Sequence, residues 1–257
     1  QLEKFKNLIA SPIDDQVEFF LKSFIFALDD NWKEVPDMAT KFKKMLQETG
    51  ETGNEMNEAT AASFLQRNGR TRTAIQRREE IRDIDLDDNK MISFIEYLLL
   101  HFKGMILKEY YTRKEETPKE DLENHAIGVV GVGDKLLDEL FTLPVGLDPE
   151  LERAIEEFTA QKRARETRLK DLEDKAKQGG VKGIAAANEI KQMESQDTTE
   201  MNRMEISLNA AKKRGSKQSG DVALAEKKKR VEEEEKQKLE EGRKKMKNIA
   251  SMWEKSN

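Results

Sequence analysis

Asp85, Asp87, Asn89, Met91, Ser93 and Glu96 stand at positions 1, 3, 5, 7, 9 and 12 of the run Asp-Leu-Asp-Asp-Asn-Lys-Met-Ile-Ser-Phe-Ile-Glu. Side-chain oxygens at alternating positions, a backbone carbonyl at Met91 and a two-oxygen carboxylate at Glu96 make a wrap-around ligand set. A hard cation that takes six to eight oxygens requires such a set. The chemistry predicted is coordination of Ca2+. Lys90 occupies position 6, where the chain turns sharply with positive φ and glycine is the usual residue. A side chain there costs about 1 kcal/mol, and its positive charge weakens the expected affinity further, with Asp88 as a partial offset. The competing reading is a hand that has ceased to bind metal and is kept for its packing.

Such a loop works between two helices, as an EF-hand. The entering helix, residues 71–84, presents Ile75, Ile81 and Ile84, and the leaving helix presents Phe94, Tyr97, Leu98, Phe102 and Met105. Both are read as core faces, giving a second hand over 71–106. Upstream, Ser11-Pro12 reads as a helix cap and first turn, followed by Val17, Phe20, Leu21, Phe24 and Leu28 at helical spacing. A further helix over 31–47 carries Trp32, Val35, Ala39, Phe42 and Leu46. If Met56 holds position 8 of a first loop, it precedes Ile92 by 36 residues, the interval of two paired hands. That register puts Thr49 at position 1 and Thr60 at position 12. The first hand therefore lacks the strong carboxylate ligands and is expected to be structural, with a Met56–Ile92 strand contact bracing the second. The EF-hand lobe is assigned to residues 1–110.

Composition sets the outer limits. The chain has 257 residues, no cysteine, 38% charged and 36% hydrophobic residues, and a net charge of −5. Disulfides and thiolate-bound zinc are excluded, and the acidic balance argues against nucleic acid as the main partner. No apolar run reaches a membrane span and no signal-like segment opens the sequence, so a soluble, cytoplasmic protein without membrane insertion is expected. His101 and His125 lack ligand-spaced partners, and no carboxylate pair sits in a catalytic setting. An enzyme is not expected.

Residues 111–147 read as short helices and a hinge. Thr117-Pro118-Lys119-Glu120 has the form of a capping-box helix start. Gly128-Val129-Val130-Gly131-Val132-Gly133-Asp134-Lys135 superficially resembles a phosphate loop, but no Gly-Lys-Ser/Thr follows. It reads as a flexible hinge, and Pro144-Val145-Gly146 closes the lobe.

Asp148-Pro149 caps a long helix whose Leu151, Ile155, Phe158, Lys162, Arg165, Leu169, Leu172 and Ala176 alternate steps of four and three, as in a coiled coil. Gly179, Gly180 and Gly183 break it before Ile190, Met193, Asp197, Met201, Met204, Leu208 and Ala211. Residues 148–214 are thus an antiparallel helical hairpin. Lys162, Arg165 and Asp197 form either a salt-bridged layer within it or a face open to a partner. Residues 215–257 are a flexible linker followed by a charged helix that ends in Met246, Ile249, Met252 and Trp253, suited to docking on an acidic surface or folding back on its own protein. The fold class expected is all-α: an EF-hand-like lobe, a long hairpin and a charged C-terminal helix.

The loop Asp85 to Glu96 followed by Tyr97-Leu98-Leu99, together with Gly180-Val181-Lys182-Gly183-Ile184-Ala185-Ala186-Ala187-Asn188 opening the second arm, resembles the calcium-regulated actin-bundling proteins of about 34 kDa found in amoebae. The likeness runs over residues 12–214. It implies a cytoskeletal protein that crosslinks F-actin less well when calcium is bound. It also places much of the actin contact in the second half, where Lys182, Lys191, Arg203, Lys212, Lys213 and Arg214 would supply the basic groups and Ile190, Met193, Met201 and Met204 either pack the hairpin or add apolar contact. Bundling needs two filament contacts, from two surfaces of one chain or from self-association. Ser251-Met252-Trp253-Glu254-Lys255 resembles the tryptophan-containing tip of caldesmon-like proteins, which also bind actin. The alternatives are a calcium-insensitive scaffold on actin or microtubules, and an EF-hand adaptor that recruits another protein.

Overall fold

Hydrophobic residues three and four apart open the chain, with Phe5 and Ile9 buried on α1 (Leu2–Ala10) and Ile13, Val17, Phe20, Leu21 and Phe24 on α2 (Ile13–Phe24). The computed structural model describes residues 1–68, 73–126, 128–142, 147–193 and 201–214. Ser11 does not cap α2 as expected. Its Oγ donates to the Leu8 carbonyl at 2.6 Å, beside the Ser11 N–H at 3.1 Å, at the end of α1, and Pro12 takes the N-cap of α2. The buried Gln16 ties this corner together. Its amide donates to the Ile9 and Ser11 carbonyls and accepts from the Ile95 N–H, each at 3.0 Å.

A 3-10 turn over Asp29–Lys33, carrying the buried Trp32, leads into α3 (Glu34–Thr49), which Gly50 ends in the left-handed conformation. Two helix–loop–helix units follow from there: α3, β1 (Glu55–Asn57) and α4 (Glu58–Asn68), then α5 (Ala74–Ile84), β2 (Met91–Ser93) and α6 (Phe94–His101). The strands are antiparallel with Met56 opposite Ile92, the pairing that the 36-residue interval predicts. Phe42, Phe64, Phe94 and Tyr97 meet edge to face behind this ladder, with ring centroids 4.9, 5.2 and 5.4 Å apart.

Three expectations fail locally. Ile75 is 71% exposed rather than in the core, because the face of α5 turned inward is that of Ile81 and Ile84. The helix leaving the second loop breaks at Phe102, and α7 (Lys103–Lys114) sets off separately. There Gly104 lets the His125 backbone approach so closely that a Cβ would lie 2.8 Å from it. No helix starts at Thr117, since Glu120 turns to Lys135 and Tyr111 instead of capping, and only a 3-10 turn over Glu123–Ala126 forms.

The segment expected to be a hinge is pinned. Val129 and Val132 are buried, the buried Lys103 donates to the Val129 carbonyl, and Asp83 accepts from the Gly131 N–H at 2.6 Å. Helix α8 (Gly133–Thr142) then packs on α2 and α7. Pro144 to Gly146 lie outside the described residues.

Asp148 caps α9 (Pro149–Lys177), accepting from the N–H groups of Glu150 and Leu151 at 3.0 and 3.2 Å. Gly179 and Gly180, both at positive φ, turn the chain into α10 (180–193), and α11 (201–214) follows. The arms run antiparallel. Gly183 abuts the Ala176 carbonyl, Arg168 pairs with Glu189 at 2.6 Å, and Arg214 pairs with Glu150 at 2.8 Å near the base.

The base of the hairpin does not form a seam of its own. Leu151, Ile155, Phe158, Leu208 and Ala211 join the core of the lobe, with α9 lying along α2. Lys162 pairs with Asp37 on α3 at 3.6 Å rather than within the hairpin, while Asp197 and the whole of 215–257 lie outside the described residues. Charged clips fasten α9 to the lobe from Glu152 to Glu166. Lys22 meets Glu152 and Glu156, Lys43 joins Asp14 to Glu166 at 2.5 and 2.7 Å, and Arg163 reaches Asp15.

Candidate metal centre and basic helical face

The second loop gathers its acids as the spacing predicts. One carboxylate oxygen each from Asp85, Asp87 and Glu96 lies within 4.8 Å of the other two. Asp85 sits where α5 ends and accepts from the Asn89 and Lys90 N–H groups at 3.0 and 2.9 Å, which curls the loop around it. Glu96 lies in the first turn of α6, fully buried. One of its oxygens accepts from the Leu86 N–H and the other from the Ser93 N–H and hydroxyl, all at 2.9 Å, while Ser93 Oγ accepts from the Glu96 N–H. This is a reciprocal cap. It engages Ser93 Oγ, so the structure reaches that position through the cap and not as a side chain standing free in the loop.

Burial pushes the Glu96 carboxyl up to about 8, against the pull of the Ser93 and Leu86 donors and with the Asp87 charge adding to the rise. Asp85 is also raised, chiefly by desolvation. Crowded, dehydrated carboxylates of this kind are the donor set that a divalent cation relieves. Asp87 Oδ1 is buried with no hydrogen-bond partner, an oxygen that such an ion would satisfy. The residues fit a hard cation: Asp85, Asp87, Asn89 and Glu96 would hold it through side chains and Met91 through its carbonyl. Lys90 does adopt the left-handed conformation its position demands, at φ 62°, and Asp88 does so at φ 56°.

The first loop is closed by hydrogen bonds among its own side chains. Thr60 Oγ1, at its last position, donates to Glu51 at 3.0 Å, and the Asn57 amide donates to the same oxygen. Thr49, at position 1, donates back to the Met45 carbonyl within α3. From this loop Glu55 reaches across the ladder and accepts from the Asn89 amide at 2.8 Å. Reasoning from the sequence missed that contact, although once Met56 is paired with Ile92 the register puts Glu55 opposite Ser93.

The six basic residues singled out on the hairpin separate into two groups. Lys182, Lys191 and Arg203 are exposed and form no ion pair among the described residues, and Lys213 is exposed beside them. Lys212 is drawn inward, its ammonium donating to the Asp29 carbonyl at 2.7 Å, and Arg214 is paired with Glu150. The apolar assignment also changes. Ile190, Met193, Met201 and Met204 are half-buried, whereas Val181, Ile184 and Ile206 are exposed at 86%, 65% and 68%. Arg203, Ile206, Ala210 and Lys213 follow one another by three, four and three residues on the outer face of α11, a single stripe of basic ends around an apolar centre. No described helix is long and apolar enough to cross a membrane.

The family described as "F actin bundling C terminal" matches residues 104–247, from α7 through both hairpin arms. The calcium-regulated actin-bundling protein of Dictyostelium discoideum is 29% identical over 195 residues, which cover 74% of this chain and 56% of that protein. The chain thus spans a little over half the length of that relative. The crystal structure of the 34 kDa F-actin bundling protein from Dictyostelium discoideum aligns over 89% of this chain and 96% of that one, at 23% identity and a TM-score of 0.40.

Proposed function

The chain belongs to the F-actin bundling family, and from that premise we propose that it binds and crosslinks actin filaments in the cytoplasmic cytoskeleton, with calcium at the second loop acting against crosslinking. The observation that carries the reading is the family match across α7 to α11, the helices that present the exposed basic and apolar groups. Lys182, Lys191, Arg203 and Lys213 are the filament contacts, with Val181, Ile184 and Ile206 supplying desolvated area between them. Contacts of this sort are screened beyond about 8 Å at physiological salt, so binding falls as salt rises.

Calcium held by Asp85, Asp87, Asn89, Met91 and Glu96 supplies positive charge at the start of α6. The hairpin base shares its core with this lobe, so a change in α6 is felt where α9 and α11 dock. An ion shifts such an equilibrium only by its differential affinity for the two arrangements. Low-speed and high-speed sedimentation with F-actin, in chelator and in calcium, tests both parts. Pelleting at both speeds in chelator, with the low-speed pellet lost in calcium, is the expected result. A chain that stays in the supernatant in chelator is not a filament crosslinker.

A further inference from the structure

We infer that Glu55, on the metal-free first loop, is a positioning residue for the second loop: it orients Asn89 so that the amide presents oxygen, not nitrogen, to a bound calcium ion. This rests on the calcium reading above. The Asn89 amide makes three hydrogen bonds. Its nitrogen donates to Glu55 at 2.8 Å and to Asp87 Oδ2 at 3.1 Å, and its oxygen accepts from the Met91 N–H at 2.7 Å. A carboxylate can only accept and a peptide N–H can only donate, so these partners permit one orientation of the amide and forbid its flip. The oxygen keeps a second lone pair for a cation.

Without Glu55 the nitrogen retains only the longer bond, to Asp87, a residue whose own oxygens are needed by the ion. The amide would then have to be ordered by calcium at the moment of binding, and that cost appears as lost affinity. Glu55 can serve in this way because its loop no longer coordinates. It occupies the position whose carbonyl a working loop would use, while the ladder sets Glu55 opposite Ser93, within reach of the neighbouring loop.

The test uses the full chain with Glu55→Ala and Glu55→Gln, titrated with calcium by calorimetry and followed by the Asn89 side-chain amide resonances. Glu55→Ala is expected to weaken calcium binding about tenfold, as loss of a ligand's outer partner does, and Glu55→Gln, which keeps an acceptor oxygen, to recover most of it. In the calcium-free wild type the Asn89 amide protons should be shifted from those of a solvated asparagine and exchange slowly with water, and in Glu55→Ala both should move toward the solvated shifts and exchange faster. Unchanged affinity and unchanged amide resonances in Glu55→Ala overturn the assignment. Equal weakening in both variants also overturns it, because the charge of Glu55 and not its hydrogen bond would then be acting. If the wild type binds no calcium, the calcium reading fails by itself and the amide resonances still decide whether Glu55 orients Asn89.

Discussion

The indole Nε1–H of Trp32 donates to Asn209 Oδ1 at 3.4 Å, joining the 3-10 turn of the lobe to α11 across 177 positions of sequence. The same indole meets Phe158 of α9 edge to face, at 5.3 Å between centroids. Trp32 therefore touches both arms of the hairpin. Asn209→Ala would leave its buried N–H without this acceptor and is expected to cost about 1–2 kcal/mol. Trp32→Ala is expected to cost about 3–5 kcal/mol. Urea denaturation followed by circular dichroism checks both.

On the proposed reading, Glu96→Gln should abolish the calcium response of bundling and leave calcium-free bundling intact, the remaining oxygen keeping the cap to Ser93 while the amide nitrogen gives up the bond from the Leu86 N–H. Low-speed sedimentation across a calcium series is the readout. A variant still inhibited by calcium would show that control lies elsewhere.

Lys90→Gly should stabilise the fold by about 1 kcal/mol, because Lys90 holds φ at 62°, and should tighten calcium binding by removing a neighbouring positive charge. Thermal melts in chelator isolate the first effect, and calcium calorimetry reports the second.

Lys191→Glu combined with Arg203→Glu should weaken pelleting with F-actin about tenfold at low salt without shifting the melting temperature, as neither residue has an ion pair among the described residues to lose. Lys212→Glu should behave oppositely, loosening α11 from Asp29 and lowering the melting temperature.

Glu120 is held down to about 2 by hydrogen bonds from Lys135 and Tyr111. Its folded value lies below its unfolded one, so the stability it contributes is complete above about pH 4.5 and is lost as pH falls toward 2. The difference in denaturation midpoint between wild type and Glu120→Gln should therefore be constant near neutrality and close over that acid range.

The convergence of Asp85, Asp87 and Glu96 and the Met56–Ile92 pairing were legible because both depend on local spacing. The hairpin was legible from two glycines and an alternating pattern. What the pattern does not encode is which neighbour a helical stripe meets. Leu151, Ile155 and Phe158 read as a coiled-coil seam and instead bury in the lobe, and Ile75 fits a helical face yet faces water. Lys212, singled out for its charge, also meets a neighbour that no pattern names. Its partner Asp29 lies 183 positions away, beyond the reach of any periodicity.

The hydrogen bonds by which Asn57 and Thr60 hold Glu51 have a bearing on how steeply the protein can respond. On the proposed reading, in which calcium enters the second loop alone, that half of the pair is closed by its own side chains, and a chain with a single site binds with no Hill slope above one. Occupancy of the isolated chain should therefore be graded, spreading over about two decades of free ion in a calorimetric titration, so that any steeper response of a filament bundle would have to come from the assembly and not from the lobe.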